Sequence, residues 1–124
     1  MQEAQHVFVP RETLPDSLSS LSTSSEKASL LGARLYVHTE NGVQCPAVKL
    51  GERGYHVQGH LVSAGADVGK LLEKADALEN FPARSEKDVV KVVTESGKRV
   101  NAYVYHMDEV DKQQVVPENV WKAS

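Results

Sequence analysis

One segment limits what this chain can fold into more than any other: the stretch from Val68 to Leu78 is its main amphipathic helix signal. At about 100° per residue, Val68, Leu71, Leu72, Ala75 and Leu78 fall on one stripe. Most of the remaining apolar residues sit in short runs of strand character. One main helix among five or six strands indicates an α+β fold, with the sheet curled or closed to protect its edges. Glu79 continues the stripe and falls inside it, not on the polar face opposite. A carboxylate aimed at apolar surroundings is costly unless it is paired or protonated. Such surroundings raise a glutamate's pKa and suit it to proton transfer near neutral pH. The alternative is that the helix frays before Glu79 and its side chain meets water.

Along the chain, Val7-Phe8-Val9 reads as a buried first strand that stops at Pro10, and Pro10 to Ser22 reads as loop. Thr23-Ser24-Ser25-Glu26 has capping-box spacing ahead of Ala28, Leu30 and Leu31, which predicts a short helix, or else a flexible linker. Ala33 to His38 alternates as a strand, Asn41-Gly42 is a turn signal, and Val43 to Leu50 returns as an irregular strand around Pro46. After the Gly51-Glu52-Arg53-Gly54 turn, Tyr55 to Val62 is a strand with Val57, Gly59 and Leu61 on one face. Asp67 is the expected N-cap of a helix reaching about Asn80, and Pro82 ends it. Asp88 to Thr94 and Arg99 to His106 form a hairpin through Glu95-Ser96-Gly97-Lys98. In the polar tail, Met107 to Ser124, the apolar anchors are Val115-Val116 and Trp121; Trp121 either packs the tail over the sheet or joins an interface. No repeat or boundary divides residues 1–124, so one domain is expected.

With 40% hydrophobic and 25% charged residues in 124, the composition is that of a globular domain with one core. The formal charge of −3 and the dispersed Lys and Arg argue against nucleic acid. Cys45, the one cysteine, excludes an internal disulfide framework and reads as a half-buried, inert thiol. The N-terminus, Met1 to His6, has neither the charged nor the apolar region of a secretory signal. No run approaches the roughly 20 apolar residues of a membrane span. A soluble, cytoplasmic protein is expected, with no membrane partner. Of the histidines His6, His38, His56, His60 and His106, His56 and His60 share a strand face. They stand about 13 Å apart at the usual strand rise, too far to share a metal, so no metal site is expected. Neither a nucleophile elbow around Ser24 and Ser25 nor a Gly-rich phosphate loop after Val9 is present.

Six short motifs in order resemble the γ-glutamylcyclotransferase-like proteins, which include AIG2-like proteins and γ-glutamylamine cyclotransferases. They are Val7-Phe8-Val9, Gly32-Ala33-Arg34-Leu35-Tyr36, Pro46-Ala47, Gly59-His60-Leu61, Asp76-Ala77-Leu78-Glu79 and Ala102-Tyr103-Val104-Tyr105. The resemblance implies a small mixed β-barrel flanked by helices, with a cavity at one rim. It also implies that Glu79, which closes the Asp-x-x-Glu motif, is the general acid/base. Substrate binding would fall to Val9, Arg11, Thr13 and Leu14 of the first strand and its loop, with Tyr105 of the last strand. The implied reaction cyclises a γ-glutamyl amine or peptide to 5-oxoproline and releases the amine, without metal or cofactor.

The chain departs from that pattern where a substrate would bind. The family's Tyr-Gly-Ser/Thr-Leu loop is replaced by Pro10-Arg11-Glu12-Thr13-Leu14. Proline removes an amide donor, and the loss of glycine removes close backbone approach. Arg11 either replaces lost amides by a charge-assisted contact to a carboxylate or is a solvated loop side chain. The family's Gly-Glu-Leu is Gly59-His60-Leu61, Asn80 stands where a glycine follows the catalytic glutamate, and Ser85-Glu86-Lys87 replaces an aromatic-basic pair. Two functions therefore stay open: the cyclising enzyme, or a catalytically silent relative that binds a small ligand or a protein through the same cavity.

Overall fold

The computed structural model describes residues 4–122; Met1-Gln2-Glu3 and the last two residues of the tail lie outside them. In chain order the elements are β1 (His6–Val9), α1 (Asp16–Ser19), β2 (Ser24–Leu31), β3 (Ala33–Glu40), β4 (Val43–Leu50), β5 (His56–Ser63), α2 (Val68–Leu78), β6 (Glu86–Thr94) and β7 (Arg99–His106). Strands β1-β5-β2-β6-β7 close into a barrel, and β3-β4 forms a separate two-stranded sheet. The barrel is mixed: β1 runs parallel to β7, and its other pairings are antiparallel. Closure leaves these strands without a free edge. No described helix is long and apolar enough to cross a membrane.

Two apolar cores follow from the alternation of side chains along β1. Phe8 points into the barrel, where it meets Leu30, Val57, Leu61, Val92 and Val104. Val7 and Val9 point outward, onto Leu71, Leu72 and Ala75 of α2 and onto Leu18. The stripe read from the sequence is thus the face that α2 buries against the barrel wall. Leu35 and Val48 of the β3-β4 sheet, with Val116 and Trp121 of the tail, complete the inner core. Trp121 therefore packs the tail over the barrel.

Several expectations need correction. The segment after Thr23 is not a helix but the strand β2, paired with β5 over all eight of its residues. Ala28 and Leu30 alternate inward there, so non-local pairing overrides the local capping-box signal. The stretch from Pro10 to Ser22 is not wholly loop: α1 turns within it and buries Leu18. Among the described residues seven strands form, not five or six, and β6 begins at Glu86. Asp67 takes the N-cap position of α2 as expected, but it follows a 3₁₀ turn, Gly65–Asp67, and makes no side-chain capping bond. The helix stops at Leu78, short of Asn80. The Asn41-Gly42 turn forms as expected, with both residues at positive φ, 52° and 78°.

Gly59 shows why one position tolerates no side chain. A Cβ there would stand 2.2 Å from the carbonyl oxygen of Val9 and 2.9 Å from Phe8 Cζ. The nearest atom is backbone and cannot swing aside. Gly59→Ala is therefore expected to cost about 1–3 kcal/mol by overpacking. That corresponds to a fall in Tm of roughly 4–12 °C for a domain of this size. Thermal unfolding followed by circular dichroism checks this, and an unchanged Tm would contradict the close approach.

Candidate active site

Glu79 caps the C-terminus of α2. Its N–H donates to Ala75 O at 2.9 Å, and Asn80 then takes a left-handed φ of 51° that turns the chain away. The chain folds back at once: Arg84 N–H donates to Asn80 O at 2.7 Å, and the buried Ser85 hydroxyl donates to Glu79 O at 2.7 Å. The helix does end before Glu79, as the fraying alternative supposed. The side chain nevertheless stays out of water, with only 8% of its surface exposed.

Burial pushes the Glu79 carboxyl above its ordinary pKa of 4.5, and the nearby Arg11 and Arg84 guanidiniums partly offset the rise. Arg84 does not clamp it. Its Nη2 lies 3.9 Å from Glu79 Oε1 while donating to Leu78 O at 3.2 Å, and its Nη1 lies 3.6 Å from Glu40 Oε2. No described residue donates a hydrogen bond to the Glu79 carboxylate. The group is thus desolvated, close to positive charge, and free to take or give a proton.

The loop after β1 has used half of its amides. Pro10 has none, Arg11 N–H donates back to Val9 O at 2.9 Å, and Glu12 N–H donates to Trp121 O at 2.9 Å. His60 Nε2–H donates to Glu12 O at 2.7 Å. Only the amides of Thr13 and Leu14 donate to no described residue. Arg11 is half-buried, and its Nε is buried without a hydrogen-bond partner among the described residues, so that part of the side chain is out of solvent. Arg11 and Thr13 also line a cavity of about 380 Å³ against Gln58, Gly59 and His60, and Glu79 is not among its walls.

The other expected binding residues are placed differently. Val9 and, partly, Leu14 belong to the apolar core beneath α2. Thr13 is exposed. Tyr105 is buried, and its hydroxyl donates a short hydrogen bond to Asp76 Oδ1, the same oxygen that Lys87 Nζ reaches at 3.0 Å. Burial first, and Asp76 second, push the Tyr105 phenol far above its usual range, so it stays a neutral donor. Tyr105 and Lys87 thus fasten the end of α2 to the barrel. The ammonium of Lys87 also lies 4.3 Å from the centre of the Phe81 ring.

The sequence reading missed Arg84 and Glu40. Arg84 follows the helix-ending proline with no motif around it, and Glu40 arrives on a hairpin distant in sequence, where it accepts from Asn80 Nδ2 at 3.2 Å. Cys45 belongs to the same neighbourhood. Burial raises its thiol pKa, and the charges of Arg84, Glu79, Arg11 and Glu40 all act on it.

The arrangement can be set beside known proteins. The family described as gamma-glutamyl cyclotransferase, AIG2-like, matches residues 9–123. No curated protein matches the chain. A protein from Arabidopsis thaliana, solved in solution, has a similar fold at a TM-score of 0.68 and 20% identity, over 93% of this chain and 78% of that one. An AIG2-like protein from Mus musculus is similar at a TM-score of 0.65 and 17% identity, over 99% of this chain and 97% of that one. A structure titled gamma-glutamyl cyclotransferase is similar at 0.61 and 17%, over 88% of this chain and 69% of that one. With a match spanning nearly its whole length, this chain belongs to the gamma-glutamyl cyclotransferase, AIG2-like family.

Proposed function

We propose that this protein cyclises a small γ-glutamyl amine or peptide to 5-oxoproline, with Glu79 as general acid/base. One observation carries the reading: Glu79 is buried at the end of α2 with its pKa raised, and its carboxylate accepts no hydrogen bond from the described residues. Such a group can abstract a proton from an α-ammonium. The freed amine attacks the γ-carbonyl of the same molecule and closes a five-membered lactam. Glu79 returns that proton to the departing nitrogen as the C–N bond breaks, and the second proton, lost by the ring nitrogen as the lactam forms, is taken up by the released amine, which leaves as its ammonium. Nucleophile and electrophile belong to one molecule, so holding it in the right conformer supplies much of the rate. Arg11 is the candidate partner for the substrate's α-carboxylate, as its buried Nε lacks an acceptor among the described residues. The unused amides of Thr13 and Leu14 are further donors. In this scheme Val9, Leu14 and Tyr105 shape and hold the site without touching the reacting atoms.

The loop supports a second reading, a silent relative that binds a ligand without turning it over. Its amides at Arg11 and Glu12 are already engaged, and proline occupies the position before them.

Release of 5-oxoproline from a panel of γ-glutamyl amino acids and amines separates the two. The cyclising reading expects release by the wild type and a loss of about 10²–10⁴-fold in Glu79→Gln. It expects Arg11→Met to raise KM more than it lowers kcat. Absence of release across the panel, with the wild type folded, would favour the silent relative.

The raised pKa of Glu79 also sets a pH dependence of stability. A carboxyl held above its unfolded value favours the fold fully below that value and loses this contribution as pH rises through the folded pKa. Glutamine at position 79 cannot ionise. The Tm of Glu79→Gln minus that of the wild type is therefore expected to grow as pH rises from 4.5. A constant difference across the same range would contradict the raised pKa.

A further inference from the structure

We propose that the open end of the β6-β7 hairpin is a binding site for one divalent transition-metal ion of the zinc class, held by His106, Glu86 and Asp108. The site lies outside the reaction proposed above and does not depend on it.

The backbone brings the three residues together. Glu86 opens β6 and His106 closes β7, and the two are directly opposed in the strand register. Asp108 follows two residues later. One ligand atom from each of the three lies within 4.8 Å of the others. Acidic groups at a strand end are common and would signify nothing alone. The histidine makes the difference.

His106 is buried, with only 7% of its side chain exposed. Its Nε2 stands 2.7 Å from Asp88 Oδ2. An ionised carboxylate only accepts, so Nε2 carries the hydrogen. In the neutral ring, Nδ1 then holds a lone pair. That atom is buried and has no hydrogen-bond partner among the described residues. Asp108 Oδ1, at 4.0 Å from it, cannot supply one, being an acceptor itself, and so is the Glu86 carboxylate in the same cluster. Leaving a buried polar atom unmatched is costly.

A proton on Nδ1 would only partly relieve this, because 4.0 Å to Asp108 is too long for a hydrogen bond. A cation between the three acceptors satisfies all of them. The Asp88–His106 pair also has the form that fixes a metal-binding imidazole: a carboxylate on one ring nitrogen orients the other toward the ion. One imidazole nitrogen with two carboxylates suits zinc and its first-row neighbours, whereas magnesium and calcium prefer oxygen ligands alone. Zinc needs its ligands at about 2.0–2.2 Å, so the donors must draw together from their present spacing. Glu86 and Asp108 are exposed and can rotate to do so. The sequence gives no hint of this site. Its one histidine has no second histidine or cysteine at ligand spacing, and the carboxylates are recruited across a hairpin.

Calorimetric titration of the full chain with Zn²⁺ at neutral pH tests the proposal, repeated on His106→Gln and on the double variant Glu86→Gln with Asp108→Asn. The two carboxylates are exposed, so the double variant keeps its fold even if the histidine variant does not, and circular dichroism verifies this. The expected result is one Zn²⁺ bound per wild-type chain, at least about tenfold weaker binding in the double variant, and much weaker binding of Mg²⁺. No Zn²⁺ binding by the wild type, or equal binding by the folded double variant, would overturn the site. Mg²⁺ binding as tight as Zn²⁺ would overturn the ion class.

Discussion

The candidate active site depends on one shared oxygen. Asp76 Oδ1 accepts from the Tyr105 hydroxyl on β7 and from the Lys87 ammonium on β6, and so ties the last turn of α2 to two barrel strands at once. The apolar stripe of α2 fixes which face meets the barrel, but apolar packing is non-directional. A helix end held only by packing would be free to slide. The two donors to Asp76 set its position along the strands, and Glu79 lies three residues further on, within the same turn of chain. Ser85, just ahead of β6, holds the Glu79 carbonyl from the other side. The Asp-x-x-Glu motif can thus be understood as an anchor followed by the group it positions.

Charge placement then decides what Glu79 can do. Burial alone would keep the carboxyl protonated, and a close ion pair would keep it ionised. The structure sits between these extremes. Arg84 spreads its contacts over Glu40, Leu78 O and Glu79, and reaches Glu79 only at 3.9 Å. Arg11 contributes positive charge from the loop after β1. The loop itself is held by features that belong together. His60 donates to Glu12 O, which an ionised carboxylate at that position could not do. Trp121 accepts from Glu12 N–H while filling the barrel core. Glu12 is thus held from two sides, by His60 through its carbonyl and by Trp121 through its amide.

Much of the fold was legible because its signals are local. The α2 stripe, the Asn41-Gly42 turn, the β6-β7 hairpin and the alternation of Val57, Gly59 and Leu61 each lie within a few neighbouring residues. The element misread as a helix, β2, owes its conformation to β5 and β6, which come much later in the chain. The same distinction separates the parts of the site. Glu79 could be picked out because one helix carries both the stripe and the carboxylate. Arg84, Glu40 and Cys45 reach it from three other segments, and the cluster around His106 assembles across a hairpin. Side chains that meet only through tertiary contact leave no periodic trace.

The account rests on Glu79 being a desolvated carboxyl with raised proton affinity, and its titration can be observed directly. Carboxyl ¹³C resonances of glutamate-labelled protein, assigned at position 79 by loss of a signal in Glu79→Gln, would be followed across pH. The account predicts a midpoint clearly above 4.5 that moves when a γ-glutamyl compound is added. A midpoint at or below 4.5, indifferent to such compounds, would mean that Glu79 is a structural partner of Arg11 and Arg84, and would contradict its role as the acid/base.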